Sequence, residues 1–385
     1  MKSVYFDHAA TTAVDPTVFD LMMPYFSEHY GNPSELHALG RATREAVEQA
    51  RAQVAAALGA AEKEIIFASG GTEADNMALI GYLQRFEDGH LIISAIEHPG
   101  VMEAARFLQR QGWDVTFVGV DGQGMIDLDE YAAAFRDDTR LASVMLANNV
   151  VGTVQPVAEL ARVAHERGAV FHTDAVQVAG SLPLAVDELG VDLLSLSAHK
   201  FYGPKGSGAL YIRRGTRMAP IIHGGGHERR LRSGTENVPG IVGLGAALTA
   251  AVDGIGETKP RLERLRERLM TGVLASIEDV LYLGHPTERL PGNVAFTVRY
   301  IEGESMLLQL DAKGIAVSSG SACASGSLEP SHVILAMGFG AEEAHGSLRL
   351  SLGRENTDEE ADYFLEVFPG IVERLRAMSP LYVKG

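Results

Sequence analysis

Apolar residues recur along this chain in two alternating rhythms, one of helical period and one of short continuous runs. Residues 41–58 place Ala42, Ala46, Val47, Ala50, Val54 and Leu58 on one helical face, and Gly59 supplies a stop. The apolar run Ile65–Ala68 follows and reads as a strand. Strand-like Leu91–Ala95, helical Val101–Arg110 and strand-like Val115–Val118 repeat the alternation. Leu141–Ala147, helical Val157–Arg167 and Val170–Thr173 carry it on, and strand-like runs at 192–197 and 208–212 close it. Such alternation predicts an α/β fold with a mostly parallel sheet covered by helices.

The rhythm changes near residue 255. Arg261–Leu274 reads as a charged amphipathic helix, Val294–Arg299 and Gly314–Ser318 as strands, and Asp358–Met378 as a long helix. A second, smaller α+β domain follows from this, joined by the N-terminal residues. The expected division is 15–255 for the large domain and 1–14 with 256–385 for the small one. No low-complexity linker separates them, so the two should pack closely.

Composition narrows the classes. With 46% hydrophobic and 22% charged residues the chain is globular, not disordered. Its net charge is 33 − 50 = −17, which argues against a general nucleic-acid or anionic-membrane binder. No apolar run reaches the length of a membrane span. Met1-Lys-Ser-Val-Tyr-Phe enters a structured pattern at once, so no signal peptide and a cytoplasmic location are expected. The one cysteine, Cys323, cannot close a disulfide within one chain or build a cysteine zinc site.

Candidate chemistry centres on Lys200, in Ser195-Leu-Ser-Ala-His-Lys-Phe-Tyr-Gly-Pro-Lys205. It falls beyond the carboxyl end of a predicted strand, where open α/β sheets place their ligands. A lysine shielded there can hold an aldehyde cofactor covalently; a lone lysine is otherwise an ordinary surface residue. Between a strand and an apolar helical run lies Ser69-Gly-Gly-Thr-Glu-Ala-Asp75. Gly70 and Gly71 can turn backbone amides toward an anion, and Thr72 with Asp75 sits at capping-box spacing. A simple capped turn reads equally well.

Asp174, at the end of a predicted strand, suits an N-cap, a metal ligand or a partner for a protonated ring nitrogen. No metal site is expected, for want of clustered carboxylates nearby. Gln177 could reach a ring's phenolate oxygen. His98, in Glu97-His-Pro99, can stack on a planar cofactor and move protons, or serve as a buried structural histidine. Glycines and serines flank Cys323 on both sides, the composition of a flexible loop, which favours a reactive thiol over a core one. Arg349, in Ser347–Arg354, is placed to clamp a carboxylate, with a surface ion pair as the plainer reading. The glycine-rich basic loop His223–Thr235 could hold an anion or form a subunit contact.

Taken in order, these segments resemble the cysteine desulfurases of the NifS/IscS type, class V aminotransferase-like enzymes of pyridoxal phosphate fold type I. Further carriers are Phe6-Asp-His-Ala-Ala-Thr-Thr12, Gly31-Asn-Pro-Ser34 and Leu328-Glu-Pro-Ser331. The resemblance spans nearly the whole chain and implies a seven-stranded type of sheet. It implies that Lys200 carries pyridoxal phosphate and shuttles the substrate Cα proton, while His98 stacks on the ring. Asp174 would pair with the ring nitrogen and Gln177 with the phenolate oxygen. Gly71, Thr72, Ser197 and His199 would hold the phosphate, joined by Thr235 from the other subunit of a homodimer.

Asn149 would serve cofactor and substrate, binding the carboxylate of L-cysteine with Arg349. Cys323 would take the sulfur as a persulfide and pass it to an acceptor protein such as an iron–sulfur scaffold. One departure stands out: Val150 occupies the position of a family glutamate, in Asn148-Asn-Val-Val-Gly152. Rival readings on the same scaffold are a selenocysteine lyase, an aminotransferase, or a catalytically silent partner protein.

Overall fold

Seven short apolar runs assemble into one sheet whose strand ends converge on the predicted site residues. The computed structural model describes residues 3–319 and 329–382. In chain order its strands are β1 (Val4–Tyr5), β2 (Ile65–Ala68), β3 (His90–Ser94), β4 (Asp114–Val118), β5 (Thr139–Ser143) and β6 (Val170–Asp174). They continue as β7 (Leu193–Ser197), β8 (Gly208–Ile212), β9 (Val280–Tyr282), β10 (Asn293–Val298), β11 (Ile315–Ala316) and β12 (Ser347–Ser351).

The main sheet runs β2-β8-β7-β6-β5-β3-β4. It is parallel except for β8, which lies antiparallel to both its neighbours. This is the mostly parallel, seven-stranded α/β sheet expected. Every residue of β3, β7 and β8 is buried, because helices cover both faces of the sheet. One apolar core joins the helix Ala38–Leu58 to the sheet, and a second packs the helix Pro99–Arg110 on the other side. Gly59, in the left-handed conformation (φ 66°), ends the first of these helices where the sequence places a stop.

The helix Val238–Asp253 has no counterpart in the periodicity. It is apolar nearly all round, so no polar stripe announces it. Its Gly243 and Gly245 admit close neighbours: a Cβ on Gly245 would stand 2.9 Å from the Ala50 Cα. A second helix, Ile255–Ser276, leaves it at a 69° bend. Among the described residues no single helix is long and apolar enough to cross a membrane.

Beyond that bend, β12-β10-β9 form a small antiparallel sheet. It shares a separate core with the helices Ile255–Ser276 and Asp358–Met378. The N-terminus belongs to this core: β1 pairs with β11, and Val4 and Phe6 are buried in it. A smaller apolar cluster brings Ile96, Met145 and Val150 against Ala295, Val333 and Ile334. Site residues on the main sheet are thereby fixed relative to those on β12.

Candidate functional site

Strand ends supply the first members of the site. β7 stops at Ser197, and the chain turns at once through the 3-10 segment Ala198–Lys200, leaving Lys200 just past the strand. Its Nζ donates to the carbonyls of Ala9 at 2.5 Å and Ala10 at 2.9 Å. Gln177 Nε2 donates to the Ala9 carbonyl as well, at 3.0 Å. The N-terminal segment therefore walls the site, a role that hydrophobic patterning gives no sign of.

β6 ends at buried Asp174, whose Oδ1 accepts from the Val176 amide at 2.8 Å. Capping of this turn uses one carboxylate oxygen. Burial raises the Asp174 pKa, while the charges of His98 and Lys200 and the Val176 amide oppose the rise. His98 caps the helix Pro99–Arg110: its Nδ1 accepts from the Gly100 amide at 3.0 Å, which leaves the proton of the neutral ring on Nε2. Burial lowers its pKa, and neighbouring Lys200 and His332 act in the same direction.

Two expectations need correction here. Thr72 and Asp75 form no capping box. The helix starts at Gly71 behind Gly70 without a side-chain cap, so Thr72 lies in its first turn. The free amide of Ser69 is taken by Glu73 Oε2 at 2.9 Å instead, and Asp75 faces the interior. The premise that Asp174 lacks a nearby carboxylate fails too. In space Asp75, His98 and Asp174 each bring an oxygen or nitrogen within 4.8 Å of one another.

Gly71, Thr72, Ser197 and His199 line one open cavity of ≈ 380 Å³ together with Thr11 and Lys205. His199 Nδ1 stands 3.1 Å from Thr11 Oγ1. Burial, then the charges of Lys200, Lys205 and His98, push the His199 pKa down to about 4. The Lys205 cation, the hydroxyls of Thr11, Ser69, Thr72 and Ser197 and the amides behind a glycine pair form a donor set suited to a phosphate dianion, and Glu73, which also lines the cavity, is paired with Arg232 at 2.8 Å. The cradle has no slack: a Cβ on Gly71 would meet Val176 Cγ2 at 2.9 Å. Thr235 is exposed and is not among the residues lining this cavity.

Arg349 sits mid-strand in β12 and is buried, not a surface ion-pair residue. Nη1 donates to the Asn149 carbonyl at 2.9 Å, and Nη2 to Asp7 Oδ1 at 2.8 Å. Its Nε is buried with no partner among the described residues. Backbone bonds of 2.7 and 3.1 Å tie Arg349 to Ser318. Cys323 lies outside the described residues. On the far side of that gap, His332 Nε2 lies 3.0 Å from the Glu97 carbonyl oxygen, so described residues before and after it border the site.

Sequence reasoning missed Asp7, Asp75 and Glu97 as site neighbours. Glu97 is fully buried; its Oε1 accepts from Ser94 Oγ at 2.6 Å and from the Met145 amide at 2.7 Å. Burial pushes its carboxyl up to about 8. Its position directly after an apolar strand was the available signal.

The aminotransferase class-V family matches residues 4–364. The chain belongs to this class-V aminotransferase family. Among its relatives, a cysteine desulfurase IscS of Methanosarcina thermophila is 52% identical over 385 residues, covering 100% of this chain and 95% of its own. A solved NifS-like protein superposes with a TM-score of 0.92 at 39% identity, over 97% of this chain and 100% of its own. The solved complex of SspA with cysteine gives a TM-score of 0.81 at 35% identity, over 92% and 100% of the two chains. This class-V aminotransferase therefore has the pyridoxal phosphate fold type I and groups with the NifS/IscS cysteine desulfurases, as the motifs imply. Pyridoxal phosphate is the cofactor of that group, and the phosphate cradle and the buried Asp174 fit it.

Proposed function

We propose that the chain is a pyridoxal phosphate-dependent cysteine desulfurase, converting L-cysteine to L-alanine and leaving the sulfur as a persulfide on Cys323. What carries the reading is the placement of Lys200 just past β7, next in the chain to cavity-lining His199, with its amine charge acting on both His199 and the buried Asp174 carboxylate. Full-length likeness to a cysteine desulfurase supports it.

When bound, pyridoxal phosphate supplies an electron sink conjugated to the substrate's α-carbon. Lys200 would hold the group covalently, and its amine would move the Cα proton. Asp174 would pair with the ring nitrogen and Gln177 with the phenolate oxygen. His98, which carries its own proton on Nε2, would lie against the ring. Gly71, Thr72, Ser197 and His199 would hold the phosphate, with Thr235 contributed by a second subunit. Arg349 and Asn149 would orient the substrate carboxylate.

The Cys323 thiolate then attacks the substrate sulfur. A bond forms between the two sulfurs and the Cβ–S bond breaks; its electron pair stays with the carbon fragment, Cβ takes up a proton, and the three-carbon product leaves as L-alanine. No external oxidant or reductant enters this balance. The persulfide passes to an acceptor protein, of which an iron–sulfur scaffold is the first candidate.

The same proposal includes a homodimer, a cytoplasmic location, and the division into residues 15–255 and 1–14 with 256–385. Two separate cores meeting near Gly254 support that division. The test is a pair of variants. Lys200→Ala loses the covalent cofactor chromophore, whereas Cys323→Ser keeps it and releases no sulfur from cysteine. Normal desulfuration by the serine variant overturns the nucleophile assignment. A keto acid product in place of alanine indicates aminotransfer.

A further inference from the structure

Asp75 is a carboxyl that the reaction above leaves unused. It is 1% exposed, and among the described residues neither oxygen has a hydrogen bond of good geometry, the Ser195 hydroxyl being one donor near it. Its surroundings are shaped to hold it. The helix Gly71–Asn76 continues as a π-turn over Met77–Gly81, a widening that recurs at functional sites. Gly100 leaves the space the carboxyl fills, since a Cβ there would stand 2.8 Å from Asp75 Oδ2.

The polar groups facing Asp75 come from three elements. β6 contributes Asp174 and His172, β7 contributes Ser195, and the start of the helix Pro99–Arg110 contributes Glu97 and His98. His172 Nε2 is 3.7 Å from Asp75 Oδ1 but cannot neutralise it. The ring nitrogens of His172 are engaged by Ser143 Oγ at 2.8 Å and Ser195 Oγ at 3.0 Å. Burial pushes that imidazole down to about 3, so it is neutral. No cation in this set is in ion-pair contact with Asp75.

An ionised carboxylate buried without a partner costs several kcal/mol. Two carboxylates this close in a dry site do not both ionise. Of the pair, Asp174 has the Val176 amide and the charges of His98 and Lys200 in favour of its anion. Asp75 has burial and the charges of Asp174 and Glu97 against its own, with only the Ser195 hydroxyl in favour, and the net effect raises its pKa well above the usual carboxylate range. One proton is shared out unequally, and it goes to Asp75.

Building on the function proposed above, we propose that Asp75 is a positioning residue: it remains a neutral acid and turns its hydroxyl toward Asp174. Asp174 is then the one anion presented to the ring nitrogen of pyridoxal phosphate. The role is indirect, since Asp75 itself touches neither substrate nor cofactor. Its charge state and its donor are what count.

The experiment reads the ring nitrogen directly, by NMR of holoenzyme loaded with pyridoxal phosphate isotopically labelled at that atom. Asp75→Asn keeps a neutral donor of the same shape and leaves the ring nitrogen protonated, as in the unaltered protein. Asp75→Ala removes the donor, and at neutral pH the proton moves toward Asp174, raising the neutral-pyridine fraction about tenfold. An unchanged resonance in Asp75→Ala overturns the proposal. So does an Asp75→Asn protein that behaves like the alanine variant, because an ionised Asp75 is then required.

If Asp75→Ala does not fold, infrared difference spectra of unaltered protein against Asp75→Asn decide the matter. A protonated-carboxyl band lost in the asparagine variant supports the neutral acid; a lost carboxylate band overturns it. Unaltered protein that binds no pyridoxal phosphate would sink the proposed function itself, an outcome distinct from all of these.

Discussion

Arg349 Nη2 lies 2.8 Å from Asp7 Oδ1, an ion pair that ties the mid-strand guanidinium of β12 to the N-terminal segment whose Ala9 and Ala10 carbonyls receive Lys200. One short segment thus positions both the proposed carboxylate clamp and the proposed cofactor amine. Asp7→Ala removes one anchor and leaves Arg349 held by the Asn149 carbonyl alone on that side. The expected result is a rise of about tenfold in KM for cysteine, the equivalent of about 1.4 kcal/mol, with the cofactor absorption unchanged. Steady-state kinetics and a visible spectrum check it. An unaltered KM means that the ion pair does not orient the clamp.

Glu97 gives the folded protein a pH dependence with a definite sign. Its folded pKa is raised from 4.5 to about 8, so between those values the native state holds the proton more tightly than the unfolded chain. Its contribution is fully present below pH 4.5 and is lost as pH rises toward 8. His172 acts oppositely: lowered from 6.5 to about 3, it contributes stability above 6.5 and loses it as pH falls. Above pH 6.5 the histidine is silent, and stability of the cofactor-free protein should fall toward pH 8 by up to about 1.4 kcal/mol per unit for such a group. Glu97→Gln keeps the acceptor for Ser94 and Met145 and removes the titration. Urea unfolding from pH 6.5 to 8 should show a shallower decline in that variant, and an identical slope refutes the assignment.

The parts of the fold that were legible are those with a one-dimensional signature. The run Ile65–Ala68 and the helix ending at Gly59 are visible because burial follows a period or a run. Lys200, Asp174 and His98 are legible as candidate site residues because each stands at or just past the carboxyl end of such a run. The helix Val238–Asp253 was not, since it is apolar on nearly every side and carries no stripe. Asp75 reads as the partner of Thr72 in a capping box because capping spacing is local, whereas its burial is decided by β6 and β7, about a hundred residues further along the chain. The ion pair of Asp7 with Arg349 joins residues 342 positions apart, a relationship no local pattern encodes.

Gly71 tests the phosphate cradle. Its replacement by alanine places a Cβ 2.9 Å from Val176 Cγ2, tighter than ordinary contact, and next to Ser197 Cβ at 3.6 Å. Either Val176 or the loop must shift, and Val176 is bound through its amide to Asp174. Gly71→Ala should therefore weaken pyridoxal phosphate binding about tenfold, or about 1.4 kcal/mol, with little loss of fold. Equilibrium dialysis of cofactor, with far-ultraviolet circular dichroism as the control for folding, reads both. Unchanged affinity would place the phosphate elsewhere.

Val150, where the resembling family carries glutamate, is 5% exposed and packs with Ile96, Met145, Val333 and Ile334. Its amide donates to Asn148 Oδ1 at 2.8 Å, so the backbone is held independently of the side chain. A carboxyl at this point would enter an apolar cluster that already borders the orphaned Oε2 of Glu97 through Ile96 and Met145. Val150→Glu should cost about 3 kcal/mol, the penalty for burying a polar group without a partner. Valine here is then a matched part of the packing between the β5 end and the helix His332–Ala336, which follows the Cys323 segment. Urea denaturation of the variant measures the cost, and a stability equal to the unaltered protein would show that this chain retains room for the family's carboxylate.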